Sequence, residues 1–403
     1  MINIPYNYIA DYDYPLPDER IALFPAAQRD GSKLLLHRRG RISDHSFKEL
    51  PQLLPPDSLL VMNNTRVIHA RLPFRKSTGA AIEIFCLEPL APSTDVQLAM
   101  QQTADCTWRC LVGNAKKWKG GELLLPIQVG NIPCTLTAKL VAEEVNTFRV
   151  RFSWEPAELS FAQIIEAAGK VPLPPYIRRA ATPTDAERYQ TIFAAHDGSV
   201  AAPTAGLHFT DEVFHALSEN HIRPAYITLH VGAGTFKPVA TDDVRQHVMH
   251  PEQVVVSKQL LDTLAAASGN IIAVGTTAVR SLESLYWLGE SYLQTGAMPQ
   301  MVDQWQPYQT DAIPYKTQDI LIALREYLTA KGADHLSFST QVMLLPDYKF
   351  RLVTGMLTNF HQPKSTLLLL ISAFLGPAWR DVYDHALANN YRFLSYGDAC
   401  LFL

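Results

Sequence analysis

One stretch of the sequence, residues 71–154, contains only short β-rich runs, whereas strands alternate with helices on its C-terminal side. Short strands separated by Gly, Pro, Asn and Lys turns are typical of a small antiparallel barrel or sandwich. We therefore predict an α/β domain with a mainly parallel sheet, built from residues 1–70 and 156–403, into which residues 71–155 insert an antiparallel β-barrel. The runs that define the barrel cover residues 81–87, 96–100, 107–112, 133–141 and 147–154.

The alternation that predicts the parallel sheet is clearest after residue 200. Thr210 is a suitable N-cap for a helix over residues 211–220. Residues 289–316 lack a clear period and are predicted to form an irregular excursion, and residues 365–374 to form an apolar helix buried on every side. The other predicted strands cover residues 33–37, 58–62, 225–231, 270–274, 336–345 and 391–396, and the other predicted helices cover residues 257–267, 277–288, 318–329 and 380–388.

The composition excludes several classes of protein. The chain has 403 residues, is 47% hydrophobic and carries a net charge of −4, so it is neither disordered nor globally basic. Any contact with nucleic acid must therefore use a local basic patch. The five cysteines form no CxxC pair, and neither a signal peptide nor an apolar run of membrane-spanning length is visible. We expect a reduced, cytoplasmic protein.

Two predicted strands end in glycine-bearing loops. One runs through His230 to Gly232 and Gly234, and the other ends at Gly275 before a helix that carries Thr276, Thr277 and Arg280. In open α/β sheets, ligands bind outside the carboxyl ends of strands, and a helix N-terminus suits an anionic group. The plainer interpretations are a tight turn at the first loop and a capped helix with a solvated Arg280–Glu283 ion pair at the second.

Histidines mark three further segments. His247 and His250 stand three apart with Glu252 close behind, but Pro251 interrupts the helix that a zinc pair of this kind needs, so we predict no metal there. Acid/base chemistry or hydrogen bonding suits them better. His208 ends a loop of small residues, and His361 precedes the apolar helix. The plainer interpretation of the His208 loop is a packed crossing between domains, and that of the His361 segment is the capping of the following helix.

Three basic clusters stand out against the acidic net charge. They are Arg38, Arg39 and Arg41; Lys116, Lys117 and Lys119 around Trp118; and Arg178 with Arg179. Each cluster alone is typical of a solvated face. Together with Trp118 as a stacking ring, they are able to form a surface that tracks phosphates.

The segments above, taken with several more, resemble one family, the S-adenosylmethionine:tRNA ribosyltransferase-isomerases of queuosine synthesis. The order of the matching strings is collinear and spans nearly the whole chain. They cover residues 14–22, 29–35, 63–68, 70–72, 172–178, 188–191, 201–210, 229–236, 247–252, 275–277, 358–361 and 391–399. The resemblance implies the same α/β fold with an inserted barrel.

The resemblance also implies a reaction. The ribosyl part of S-adenosylmethionine moves onto the aminomethyl group of a 7-deazaguanine at the wobble position of a tRNA with a GUN anticodon. Adenine and methionine leave, and the product is epoxyqueuosine. S-adenosylmethionine is then a consumed substrate, and no metal or redox cofactor takes part. Separately from the resemblance, we expect the protein to be a monomer. The chemistry needs a base near C5′, an acid for adenine and a pocket for an extruded base.

The resemblance gives every candidate residue a role, and we expect these residues to converge on one cleft. The acid/base candidates are His208, His230, His247, His250, Glu252 and His361. The residues expected to hold S-adenosylmethionine are Gly232, Gly234, Thr276, Thr277 and Arg280. The residues expected to meet tRNA or its modified base are Asn63, Asn64, Arg66, Tyr176, Arg178 and Arg179.

Some positions depart from the family pattern. Gln341 stands where the family has Asp, Asp347 stands where it has Gly, and residues 289–316 make a longer link than expected. A divergent paralogue that binds S-adenosylmethionine or RNA without this turnover would also fit the sequence. So would a metal hydrolase that uses His208, His247 and His250, or a methyltransferase that releases S-adenosylhomocysteine.

Overall fold

The computed structural model describes residues 4, 7–232, 239–309 and 315–403; Gly234 lies outside the described residues. The described strands are β1 (Lys33–Arg38), β2 (Arg41–Ser46), β3 (Leu59–Asn63), β4 (Thr65–Val67), β5 (Arg71–Arg75), β6 (Ala81–Ala91), β7 (Asp105–Gly113), β8 (Glu122–Val129), β9 (Ile132–Glu143), β10 (Phe148–Glu155), β11 (His196–Ser199), β12 (Arg223–His230), β13 (Glu252–Ser257), β14 (Ile271–Val274), β15 (Met301–Val302), β16 (His335–Thr340), β17 (Gly355–Asn359) and β18 (Ala399–Phe402).

Helices flank these strands in the same described ranges. They are α1 (Leu50–Leu53), α2 (Val96–Met100), α3 (Phe161–Ala168), α4 (Pro183–Arg188), α5 (Asp211–Glu219), α6 (Lys258–Ala265), α7 (Thr276–Thr295), α8 (Thr317–Lys331), α9 (Thr366–Leu375) and α10 (Trp379–Ala388). None of the helices in the described part of the chain has the length and apolar character to cross a membrane.

The larger sheet has ten described strands in the order β15-β16-β13-β12-β3-β14-β17-β18-β1-β2. Its centre, β12-β3-β14-β17, is parallel. The flanks are mixed, because β13 runs antiparallel to both neighbours, β18 to β17, and β2 to β1. The prediction of a mainly parallel sheet is therefore correct for the centre only. The β1–β2 pair is antiparallel because a tight turn with positive φ at Arg39 and Gly40 joins the strands.

The smaller sheet is wholly antiparallel, in the order β5-β6-β7-β10-β9-β8. Its edge strands β5 and β8 lie against each other, so the sheet nearly closes into a barrel. Its apolar side chains form a core of their own together with α3, and Trp118 is buried in that core. The expectation that Trp118 acts as an exposed stacking ring is therefore wrong. The predicted boundaries of the insertion, residues 71 and 155, stay a prediction.

The large sheet is buried on both faces. Along β3, Leu59 and Val61 face one apolar core and Leu60 and Met62 face the other, as alternation in a strand requires. Helices α6, α7 and α8 pack in the first core, and α1 and α5 in the second. Strands covered on both faces read as continuous apolar runs, which is why this strand was visible in the sequence.

Several predicted elements differ from the structure. Residues 96–100 form helix α2 instead of a strand, because the Asp95 side chain caps it by accepting a hydrogen bond from the Leu98 N–H at 3.0 Å. Residues 391–396 form no strand: Leu394 has a φ of +69°, which turns the backbone, and the final strand is β18. Helix α7 continues to Thr295 and so shortens the predicted excursion. Helix α9 is fully buried only over residues 368–372.

Candidate active site

A cleft opens at the carboxyl ends of the central parallel strands. Val231 follows β12, Gly275 follows β14, and Phe360 follows β17, and all three line it. The cleft holds about 750 Å³ of empty space, part of it open to solvent. Its other lining residues are Tyr176, Ala201, Ala202, Pro203, Thr204, Ala205, Thr276, Thr277, Thr358, Asn359, His361, Gln362, Ser365, Leu367, Leu394 and Ser395.

The N-terminus of helix α7 forms one wall of the cleft. Gly275 has a φ of +87°, which favours glycine, and its N–H donates to the Leu357 carbonyl at 2.7 Å. No side chain in the described ranges caps this helix, so its first N–H groups are left for a ligand. The Thr277 hydroxyl is buried and has no hydrogen-bond partner among the described residues. The predicted residues Thr276 and Thr277 therefore lie at an uncapped helix N-terminus that lines the cleft.

His361 also lines the cleft. Its Nε2 lies 3.0 Å from the Thr358 hydroxyl, and its carbonyl accepts a hydrogen bond from Tyr14. Burial lowers the pKa of His361 to about 3. The imidazole is therefore neutral near pH 7.

His208 reaches the cleft through Asn359. The Asn359 amide nitrogen donates to His208 Nε2 at 3.4 Å, and the amide oxygen accepts from Thr204 at 2.8 Å. On its other side, His208 Nδ1 lies 2.9 Å from the Ser32 hydroxyl. Burial lowers the pKa of His208 to about 4. His208 thus orients Asn359 and Thr204, which line the cleft.

His230 lies behind Val231, between the barrel's helix α2 and the large sheet. Its Nε2 accepts a hydrogen bond from the Gln97 amide at 3.2 Å, and its Nδ1 lies 3.3 Å from the Thr65 hydroxyl. Burial lowers its pKa to about 4, against the opposing effect of Asp95. The partners Gln97 and Asp95 lie in or beside the segment predicted as a barrel strand, so sequence reasoning missed them.

Glu252 and Arg280 bind each other. The Arg280 guanidinium donates to the Glu252 carboxylate at 2.6 Å and to the Val342 carbonyl at 3.2 Å, and both side chains are buried. His247 is half-buried, and burial followed by the charge of His250 lowers its pKa; the His250 side chain is exposed. None of these four predicted residues lines the described cleft.

Glu283 does not form the solvated ion pair with Arg280 that helical spacing suggested, and that interpretation is wrong. Its carboxylate is fully buried and accepts four hydrogen bonds, from the Tyr348 hydroxyl at 2.7 Å and from the N–H groups of Arg351, Leu352 and Val353 at 2.8–3.0 Å. It fixes the loop ahead of β17 against α7. Nothing in the local sequence marks this contact, because its partners lie far along the chain.

The asparagines predicted to meet tRNA bind the protein itself. The buried Asn63 side chain accepts hydrogen bonds from the Thr65 and Leu229 N–H groups and donates to the Leu229 carbonyl. The Asn64 side chain accepts from Thr228 at 2.7 Å. Exposed Arg66 donates to the Ala194 carbonyl and lies 3.6 Å from Asp197.

The other three residues predicted to meet tRNA or its base differ in exposure. Tyr176 lines the cleft, and its hydroxyl lies 2.6 Å from that of Ser395. Arg178 is exposed beside Asp18. Arg179 donates two hydrogen bonds to Asp185, at 2.7 and 2.8 Å, and is therefore held in the fold.

The expectation of one shared cleft holds for part of the candidate set. Of the predicted residues that the structure describes, Tyr176, Thr276, Thr277 and His361 line the cleft, and His208 touches it through Asn359. The other described candidates do not line it; they are His230, His247, His250, Glu252, Gly232, Arg280, Asn63, Asn64, Arg66, Arg178 and Arg179. Within the described ranges, no group of three or more His, Cys, Asp or Glu side chains is arranged to hold a metal.

Residues 9–402 match the family described as queuosine biosynthesis protein. The chain belongs to this family, as its sequence motifs predicted. It is 36% identical over 397 residues to the S-adenosylmethionine:tRNA ribosyltransferase-isomerase of Azoarcus sp. strain BH72. The matched region covers 98% of this chain and 96% of the relative. It is 38% identical over 399 residues to the protein of the same name from Acidithiobacillus ferrooxidans, which covers 97% and 96%. The predicted enzyme class, a transferase-isomerase of queuosine synthesis, is confirmed.

One solved structure also matches. It is the crystal structure of S-adenosylmethionine tRNA ribosyltransferase from Thermotoga maritima, at 27% identity and a TM-score of 0.47, covering 98% of this chain and 100% of that one.

Proposed function

We propose that this protein transfers and isomerises the ribosyl moiety of S-adenosylmethionine onto the 7-aminomethyl-7-deazaguanine wobble base of tRNA. Adenine and methionine are released, and the tRNA carries epoxyqueuosine. Family membership over nearly the whole chain supports this function. The structural observation that supports this function best is the cleft at the carboxyl ends of the parallel strands. The enzyme acts in the cytoplasm as a monomer.

The N-terminus of α7 is the site for the methionine carboxylate. The uncapped N–H groups carry partial positive charge, and the Thr277 hydroxyl supplies an unused hydrogen bond beside them. Arg280 was expected to help here, but it is already paired with Glu252. The contribution of Arg280 is therefore to hold β13 against α7 beneath the site.

His361 is the acid/base residue we assign first, because it lines the cleft itself. The reaction begins when a base removes a proton from C5′, which the adjacent sulfonium acidifies. Burial keeps the imidazole neutral, so a ring nitrogen is available for that proton and the ring does not repel the sulfonium. The lowered pKa also makes the ring a weak base whose protonated form gives the proton up readily. The imidazolium so formed then supplies the proton that departing adenine requires.

His208 acts as a positioning residue in this scheme. It accepts the Asn359 amide hydrogen, which fixes the amide oxygen toward Thr204 at the cleft wall. His230 holds Gln97 of the barrel next to the strand that ends at the cleft. The barrel and the large sheet therefore meet at His230, which directly precedes the cleft-lining residue Val231.

The test is incubation of the protein with S-adenosylmethionine and precursor tRNA, followed by mass spectrometry of the nucleosides and assay of adenine. Epoxyqueuosine with stoichiometric adenine supports the proposal. S-adenosylhomocysteine would identify a methyltransferase, and binding without adenine release would identify a paralogue without turnover. A chelator-treated sample distinguishes a metal hydrolase, because the proposed reaction continues at the same rate.

A further inference from the structure

A second pocket adjoins the cleft, and three arginines from distant segments line it. Arg29 lies ahead of β1, Arg188 ends α4, and Arg392 follows α10. Each belongs to a string that matched the family, and none has yet been given a role. Its other lining residues are Pro25, Ala26, Leu207, His208, Ser395 and Tyr396, and they surround about 260 Å³ of empty space, part of it open to solvent.

Backbone carbonyls hold the three guanidinium groups in place without neutralising them. Arg29 donates to the carbonyls of Glu187, Gln190 and Leu207 at 2.8–3.3 Å. Arg188 donates to the carbonyls of Ala26 and Ala27 at 2.7 and 3.3 Å, and Arg392 to those of Phe24 and Tyr396 at 3.1 and 2.7 Å. The Arg188 Nε is buried with no partner among the described residues.

Few carboxylates balance these charges. Among the described residues, no carboxylate lies within 4.0 Å of Arg29 or Arg188, and Asp398 lies 4.0 Å from Arg392. Asp398 also accepts hydrogen bonds from the Lys33 and Arg392 N–H groups. Burial and the charge of Arg188 lower the pKa of Arg29, and the nearby Glu187 carboxylate raises it by less. Rigid, positively charged donors in a concave pocket suit an anion.

The pocket and the cleft share a wall. Ser395 lines both, and it contacts Tyr176 on the cleft side. His208 lines the pocket, and its partner Asn359 lines the cleft. Neighbouring groups of a single ligand are therefore able to occupy the pocket and the cleft together.

We propose that this arginine pocket binds a backbone phosphate of the tRNA next to the base that enters the cleft. This inference rests on the proposed function. The methionine carboxylate is the other anion at hand, but S-adenosylmethionine also carries an ammonium and a sulfonium, so its net charge is positive and three guanidinium groups repel it. A phosphodiester brings negative charge alone. Phosphate contacts of this kind fix the register of the RNA and leave the base to be read in the cleft.

The first test measures the salt dependence of binding to an in-vitro transcript of a tRNA with a GUN anticodon. Removing one phosphate contact with Arg188→Gln should weaken binding about tenfold, the factor of one charge-assisted hydrogen bond, and reduce the slope of log K against log salt by about 0.7–1. Arg188→Lys should keep the slope. Arg325→Gln, which removes an exposed arginine on α8 paired with Asp262, is the matched control and should leave both unchanged.

The second test needs no variant. An anticodon stem-loop with a neutral methylphosphonate at each phosphate flanking the wobble nucleotide is titrated against the wild-type protein, and one position should lose about tenfold in affinity. In Arg188→Gln that loss should disappear, because the two changes remove the same contact. The proposal is overturned if no methylphosphonate weakens binding, if Lys and Gln behave alike, or if Arg188→Gln raises the KM for S-adenosylmethionine while tRNA binding is unchanged. Both tests measure binding, so a wild-type protein that binds tRNA but releases no adenine would contradict the proposed function and leave this pocket standing.

Discussion

The Glu252 carboxylate lies 2.6 Å from the Arg280 guanidinium, and both side chains are buried between β13 and α7. Two side chains that the sequence assigned to different tasks, catalysis and substrate binding, are thus partners of each other. A buried carboxylate committed to an arginine is poorly placed to exchange protons with a substrate. The pair instead joins two elements of the fold. These are β13, which follows the segment with His247 and His250, and α7, whose N-terminus lines the cleft.

Glu252→Gln should therefore destabilise the protein. Removing one charge leaves Arg280 buried without its counter-ion, which costs about 3–5 kcal/mol. Urea unfolding monitored by tryptophan fluorescence measures this loss. The double variant Glu252→Met with Arg280→Met should regain much of it, because no charge is then left unpaired. Wild-type stability together with a loss of adenine release in Glu252→Gln would contradict this assignment and favour a direct catalytic role.

Thr277→Val should separate binding from stability. The Thr277 hydroxyl has no described partner in the fold, so replacing it with a methyl group leaves the free energy of unfolding unchanged or slightly higher. If the hydroxyl binds the substrate, the KM for S-adenosylmethionine should rise about tenfold, since one hydrogen bond to a charged group is lost. Thr277→Ser keeps the hydroxyl and is the control. An unchanged KM in the valine variant would remove Thr277 from the site.

The buried histidines should make the protein sensitive to mild acid. His208 and His230 have pKa values near 4 in the folded state, below the ordinary 6.5 of an unfolded chain. Below pH 6.5 the unfolded state therefore binds protons that the folded state does not, and stability falls between pH 6.5 and about 4, by up to about 3 kcal/mol for each histidine. Melting temperatures across this range measure the loss.

Variants identify which histidines cause this acid sensitivity. His208→Gln should reduce the pH dependence while lowering stability at pH 7, since the Ser32 and Asn359 contacts change. His215→Gln, on the exposed face of α5, should leave the pH dependence unchanged. Equal slopes in the wild type and in His208→Gln would show that His208 does not titrate in the way its burial predicts.

Gly198→Ala should disturb the junction between the barrel and the large sheet. Gly198 has a φ of +138°, and a Cβ there would lie 2.2 Å from Val96 and 2.8 Å from His230 Nδ1. We expect a loss of several kcal/mol and reduced adenine release, because His230 must move. Gly120→Ala, at a φ of +120° but with open space around it, is the control for backbone strain alone. Similar stability of the two variants would show that the contact with His230 is not tight.

Elements whose signals are local could be predicted from the sequence. Thr210 caps α5 by accepting a hydrogen bond from the Val213 N–H, as its position before a periodic run indicated. Gly275 ends β14 and begins α7, which placed Thr276 and Thr277 correctly at a strand end. Asp347, at the position where the resemblance led us to expect glycine, has a φ of +71°, a conformation that Asp tolerates better than most residues.

The remainder of the candidate site depends on contacts between distant residues. Glu283 resembled a surface residue by its spacing, yet its partners are at 348–353. Asn63 followed a strand and resembled a ligand contact, yet it links β3 to β12. Asn359 and Thr204 line the cleft together with no shared motif. Pairings of this kind follow from tertiary packing, which neither periodicity nor capping rules encode.

Strand β18 has a consequence for the opposite end of the chain. It lies between β17 and β1, so the β1–β2 hairpin is hydrogen-bonded to the large sheet through residues 399–402. Removing that short segment would release residues 33–46 from the sheet although every covalent bond near them stayed intact. Trimming at the C-terminus should therefore be detected first as proteolytic sensitivity near the N-terminus.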